Sequence, residues 1–373
     1  MAHILTSLLG LCLLFLILRS MVRIALINRH YRDFFAETAG RTVHAVVSLR
    51  LRGKRGTRAS HPVLLWLFPA YLLSLILVYF LGAMAAFVLL YWGTGAVISW
   101  RQAFLASGSA LNTLGFATPT TIAGQWLAIP EGALGLGIVV FLFTFIPGYQ
   151  AVIRSREDKT SWLYIRTGDQ PEGVALLEWC QRAGIAHNMR DVWETWEDWF
   201  RMLGDTHSVL PMLTMSPSVQ GNQSWVRAAA AVLDAAALAA SSLDTEDTEP
   251  AKACVQTGAR ALLAIANALG QTCKSARQPI TRPSRMWYEA TRARLGSVGL
   301  PLRSAVDGEP RWREFLSFRE QYEDALLFVA SQTFAPLESI EISLVERGGT
   351  PDFMKCARPS QFQETGNGRR GPD

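Results

Sequence analysis

Asn112-Thr113-Leu114-Gly115-Phe116-Ala117 offers little acid–base chemistry, and its interest lies in its backbone. A desolvated cation is bound by oxygen atoms that replace its hydration shell. A row of carbonyl oxygens in an irregular loop supplies them, and a glycine lets successive carbonyls turn the same way. Gly115 is placed for that role. Two formal charges lie nearby in sequence, Arg101 and Glu131. Glu131 is expected to buttress the loop by pairing with Arg101, to attract cations at its mouth, or to sit solvated at a helix N-terminus.

The elements that must position these residues are apolar. Arg101 and Glu131 are the only formal charges between Ser60 and Ile153. The run 62–92 predicts a membrane span, longer than the roughly 20 residues a bilayer needs, with Trp66 and Tyr91/Trp92 as interface aromatics. Gly93-Thr94-Gly95 ends it. Ser99 is a good N-cap for a short helix to Asn112, too short to cross. Thr113 to Thr118 is the non-helical return, and Pro119 and Gly124 mark an outer loop. A third span follows from about 125 to 151. Gly132, Gly135 and Gly137 favour close approach or bending there, and Pro147-Gly148 a kink at its inner end. Gly135, Gly137, Pro147 and Gly148 are therefore the expected gating hinge. Irregular backbone at membrane depth is tolerated only where it is buried in protein or lines a water-filled path.

With this order of elements, Thr113-Leu114-Gly115-Phe116 resembles the first four positions of the Thr-Val-Gly-Tyr-Gly filter of the potassium-channel pore-loop superfamily. The Asn-Thr-x-Gly-Phe form is also similar to the filter repeats of Trk/Ktr/HKT transporters. The unit 62–155 looks like bacterial two-transmembrane ion channels. Ala117 departs at the second glycine, and Thr118 at the acidic position that commonly follows. The resemblance implies a homotetramer around an axial path, a permeant monovalent cation, with K+ the expected ion, and no cofactor or enzyme activity. Ala117 predicts weaker discrimination between potassium and sodium.

The charge is split. Residues 1–158 carry a net +8 and residues 159–373 a net −3, out of +5 in all. The basic part therefore reports membrane orientation and contact with anionic lipid, not nucleic-acid binding. Residues 1–28 read as a first transmembrane helix, because arginines follow the apolar run and no small-x-small cleavage site is present. Residues 29–61 form a basic linker or an amphipathic interfacial helix. The positive-inside rule then places the N-terminus outside and residues 156–357 in the cytoplasm, and the resemblance implies a bacterial inner membrane.

The C-terminal part predicts a soluble helical domain with helices near 171–184, 189–204, 223–242, 252–270, 282–295 and 309–332, a short strand at 162–165 and an acidic surface loop at 242–250. Residues 358–373 are expected to be disordered. The fold class is thus mainly α: an N-terminal span, a span–loop–span unit and a cytoplasmic helical domain. Trp193, Trp196 and Trp199/Phe200 mark one helix face, expected in the core or at a subunit contact. Asp205-Thr206-His207-Ser208 and His187 lack spaced partners for catalysis. Cys12, Cys180, Cys254, Cys273 and Cys356 suggest neither disulfides nor a metal site. No glycine-rich nucleotide loop is present. A competing reading makes the hairpin a mere scaffold for a cytoplasmic sensor or enzyme.

Overall fold

The computed structural model describes residues 1–26, 33–50, 61–270, 283–304 and 308–333. The part of the basic segment at 27–32 and 51–60, Cys273, Cys356 and the tail 358–373 lie outside those residues. Among the described residues the chain is helical, and the only β interaction is an isolated antiparallel bridge between Leu243 and Leu302.

Helices α1 (Ala2–Leu26), α2 (Phe34–Arg50), α3 (His61–Leu65), α4 (Leu67–Gly93), α5 (Trp100–Leu111) and α6 (Ile122–Thr167) make the N-terminal half. The α1 and α4 helices pack closely, because a methyl group at Gly10 would lie 2.8 Å from the Ala86 carbonyl oxygen. The outer face of α1 leaves Leu5, Leu8, Leu9 and Phe15 exposed, and α4 leaves Leu73, Leu77 and Leu81 exposed. Such surfaces suit a hydrocarbon solvent. The α2 helix buries Ala39, Val43 and Val47, four residues apart, against the start of α4. Asp33 caps it, accepting from the N–H groups of Phe35 and Ala36. The Ser20 hydroxyl donates to the same Asp33 oxygen and lies 2.8 Å from the Tyr79 hydroxyl, so one polar cluster ties α1, α2 and α4.

Among the described residues four helices are long and apolar enough to cross a membrane, by length and composition, which is compatible with a multi-pass membrane protein. The fourth of them, α10 (Trp225–Ser242), differs from the others. It is buried along its whole length by protein, and Arg227 and Asp234 interrupt its apolar run.

The α6 helix is 46 residues long. At 1.5 Å per residue it extends roughly 69 Å, more than twice a hydrocarbon core. Its apolar part runs on without interruption into a charged part that enters the C-terminal bundle. The strand expected at 162–165 is therefore helix. A short apolar run does not distinguish strand from helix by periodicity; here Arg156, Thr160, Leu163 and Tyr164 recur at helical spacing and face the bundle. The boundary between residues 155 and 156 likewise falls inside one helix.

The remaining helices are α7 (Gly173–Arg182), α8 (Arg190–His207), α9 (Pro211–Met215), α10, α11 (Thr248–Ala268), α12 (Arg285–Ser297), α13 (Gly308–Arg319) and α14 (Glu323–Gln332). Alanines along α10 let its neighbours approach closely on every side. The tryptophan face of α8 lies in this core, with Trp193, Trp196, Trp199 and Phe200 all buried. Trp162, Trp196 and Trp199 meet edge to face, an arrangement that adds about 0.5–1.5 kcal/mol per pair beyond burial.

Two further expectations change. The helix expected over 309–332 is two helices, because the turn at Tyr322 lets its buried phenol donate to Asp234 at 2.6 Å. The segment 242–250 is only partly a surface loop. Leu243 is buried, and Asp247 turns inward to accept from the Met189 N–H at 2.6 Å.

Candidate functional site

The site begins at Ser99, whose extended backbone and hydroxyl cap α5 by accepting from the Gln102 N–H. Twelve residues make α5 roughly 18 Å long, too short to cross a bilayer. It buries Ala103, Ala106, Ser107 and Leu111 against its neighbours and leaves Phe104 exposed. Its C-terminus leads into the six-residue segment 112–117.

The backbone of that segment is asymmetric. Asn112 N–H donates to the Gly108 carbonyl, Thr113 N–H to Ala110, and both Leu114 and Gly115 N–H to Ser109. Ala117 N–H donates to the Ser109 hydroxyl at 3.0 Å. Five donors are thus turned back onto the last turn of α5. Among the described residues, no donor reaches any carbonyl of residues 112–117. The carbonyls are left to whatever occupies the space beyond. A helix C-terminus carries partial negative charge, so α5 adds a field of the sign that attracts cations.

Two residues of the turn are left-handed. Gly115 has φ +71°, which glycine adopts freely. Thr113 has φ +55°, and a β-branched residue there is an outlier costing roughly 1–3 kcal/mol. Leu114 and Phe116 are exposed side chains, as are Asn112 and Thr113.

Glu131 is fully buried. Its Oε2 accepts from the Tyr91 hydroxyl at 2.8 Å, and its Oε1 from the Ser107 hydroxyl, joining α6 to α4 and α5. The Ser107 hydroxyl also lies 3.2 Å from the Met84 carbonyl. Arg101 is exposed and is not its partner. Neither a solvated carboxylate nor an exposed charge at the mouth describes Glu131. Tyr91, expected at the membrane interface, is buried as well, while Trp92 stacks on Trp100.

Gly135 presses on α5. A methyl there would lie 1.9 Å from the Leu111 carbonyl oxygen, so this glycine serves close packing. Gly137 and Gly148 have open space around them, and Pro147 lies within the continuous α6 helix. Thr121 caps α6 and donates its hydroxyl to the Ala96 carbonyl at 2.9 Å, fixing the return of the chain.

At the other end of α6, Arg156 is fully buried. It donates to the carbonyls of Leu213 (3.0 Å), Ser216 (3.1 Å) and Pro217 (3.3 Å) and pairs with Glu157 at 2.8 Å. Burial lowers its affinity for a proton, and Glu157 offsets this. Arg156 is thus a core residue, not a surface charge, and it locks α6 into the bundle. His207 lies 3.4 Å from it and is buried; desolvation and then Arg156 hold its pKa well below the usual value, so the ring is neutral. Asp205-Thr206-His207-Ser208 is the end of α8, with Ser208 bonded to the Gly204 carbonyl. His187 is exposed. Among the described residues no group of three or more His, Cys, Asp or Glu side chains is arranged to hold a metal ion.

Ser107, Ser109, Tyr91 and Arg156 were not singled out from the sequence for these contacts. A serine every second residue near a helix C-terminus is a weak signal, and the acceptors of Arg156 lie about sixty residues away. Comparison with protein-family models, curated proteins and solved structures finds no match to this chain.

Proposed function

We propose that the chain is the subunit of a homotetrameric cation channel of the bacterial inner membrane, conducting potassium through the carbonyls of Thr113 to Ala117. The observation that carries this reading is the one-sided backbone of 112–117. Five of its six N–H groups are spent on α5, and among the described residues its carbonyls take no hydrogen bond. In a membrane such acceptors need a partner, and a cation path supplies one. Four copies would place the free carbonyls around one axis and cover the exposed Leu114 and Phe116.

The N-terminus lies outside in this reading, and anionic lipid contacts the basic segment. The bundle is cytoplasmic and serves assembly or gating. The unbroken α6 helix and the Arg156 lock give it mechanical purchase on the span. The test is cation flux into liposomes with wild-type protein and Gly115→Val. Valine resists φ +71°, so flux should vanish while the tetramer survives. Wild-type flux through a folded Gly115→Val tetramer would refute the reading.

A further inference from the structure

A second site lies in the bundle. A cavity of about 250 Å³ opens between α7, α10 and α12. Glu172, the N-cap residue of α7, stands at one wall. Asp234 and Leu238, one turn apart on α10, form the second, and Trp287, Thr291 and Arg294, on one face of α12, form the third.

The lining carries two carboxylates, Glu172 and Asp234, against one guanidinium, Arg294. Arg294 is the only cationic residue of the lining, and its guanidinium is already forked onto Glu178 at 2.6 and 3.0 Å. Glu172 makes no side-chain cap on its own helix and no side-chain hydrogen bond with a described residue, though its charge acts on Arg294 and Arg227. Asp234 is 2% exposed in the middle of an otherwise alanine-rich helix. Its Oδ1 receives the Tyr322 phenol and faces Arg319 at 3.8 Å. Its Oδ2 takes no hydrogen bond from any described residue, which leaves it for the cavity that Asp234 lines. Burying a carboxylate costs free energy, which Tyr322 and the buried Arg319 offset in part, and a donor entering the cavity would add to that.

We propose that this cavity binds a small organic cation, a primary ammonium carried on an apolar body. The ammonium would lie between Asp234 and Glu172. The indole of Trp287 offers a cation–π face, and Leu238, Val174 and Ala290 the apolar wall. The volume equals that of roughly eight waters, which sets the ligand at about eight to ten non-hydrogen atoms. Two of the three helices around the cavity, α7 and α10, also pack on α6, so occupancy is placed to influence the channel; binding itself does not depend on the channel reading.

The experiment is calorimetric titration of the full-length protein in nanodiscs with phenethylamine, 2-phenylethanol and 3-phenylpropionate. Phenethylamine should bind, with the alcohol and the acid at least about tenfold weaker, the loss expected of an unmade charge-assisted contact. Glu172→Gln, at a half-buried position with no hydrogen bond to lose, should weaken the amine about tenfold while leaving the melting temperature unchanged. Asp234→Asn should do the same where it folds; where it does not, Glu172→Gln decides. Absence of amine binding at millimolar concentration overturns the proposal. So does equal binding of the alcohol or the acid, or wild-type amine affinity in Glu172→Gln.

Discussion

The phenol of Tyr91 on α4 donates to Oε2 of Glu131 on α6 at 2.8 Å, and the other carboxylate oxygen holds Ser107 on α5. One acidic side chain thus fixes three helices around the segment 112–117. In Glu131→Ala the buried Tyr91 hydroxyl loses its acceptor, at about 1–3 kcal/mol, while the Ser107 hydroxyl keeps the Met84 carbonyl. The detergent-solubilised protein should melt lower, and flux should fall. Glu131→Gln keeps an acceptor for one hydroxyl and should lie between the two. Equal melting of Glu131→Ala and wild type would remove Glu131 from this role.

Gly135→Ala tests the contact between α6 and the end of α5. Its methyl would lie 1.9 Å from the Leu111 carbonyl oxygen, so the helices must separate. The expected cost is about 1–3 kcal/mol, typical of overpacking. Gly137→Ala has open space and should be neutral or slightly stabilising. Thermal unfolding of the two proteins side by side gives the comparison.

The proposed channel predicts that residue 117 tunes selectivity. Ala117→Gly should raise the preference for potassium over sodium, because glycine frees the last carbonyl of the row to turn inward. Reversal potentials under bi-ionic conditions measure it. A wild-type protein with strong potassium selectivity would contradict the role given to Ala117.

His207 predicts a pH dependence. Its folded pKa lies well below 6.5 through desolvation and Arg156, so the unfolded chain takes up a proton that the folded one refuses. Stability is complete above about pH 6.5 and falls as pH drops towards the depressed native value, by up to about 1.4 kcal/mol per pH unit. His207→Gln should flatten that slope in melts between pH 7 and 5. An unchanged slope would show that another group titrates.

Orientation is open to thiol labelling. Thr120→Cys, exposed beside the turn, should react with an impermeant reagent added outside cells, and Asp158→Cys, exposed at the bundle end of α6, should not. The reverse pattern would invert the topology.

The sequence by itself determined the helices and their class. Apolar runs of 22 residues or more need no tertiary information to become candidate spans. The Ser99 cap, the break at Gly93-Thr94-Gly95 and the tryptophan face of α8 were legible because each depends on neighbours within a turn or two. Tertiary structure decided what the isolated charges do. Glu131 pairs with a serine 24 residues before it and a tyrosine 40 before it, not with Arg101. Arg156 resembles a topogenic surface charge in sequence, yet its acceptors are carbonyls 57 to 61 residues away, which no local pattern encodes. Tyr322 broke an expected helix for the same reason, its partner Asp234 lying 88 residues upstream. Hydrophobic periodicity is local and survives in the sequence, whereas the satisfaction of a buried polar group is set by whichever distant atoms the fold brings within 3 Å.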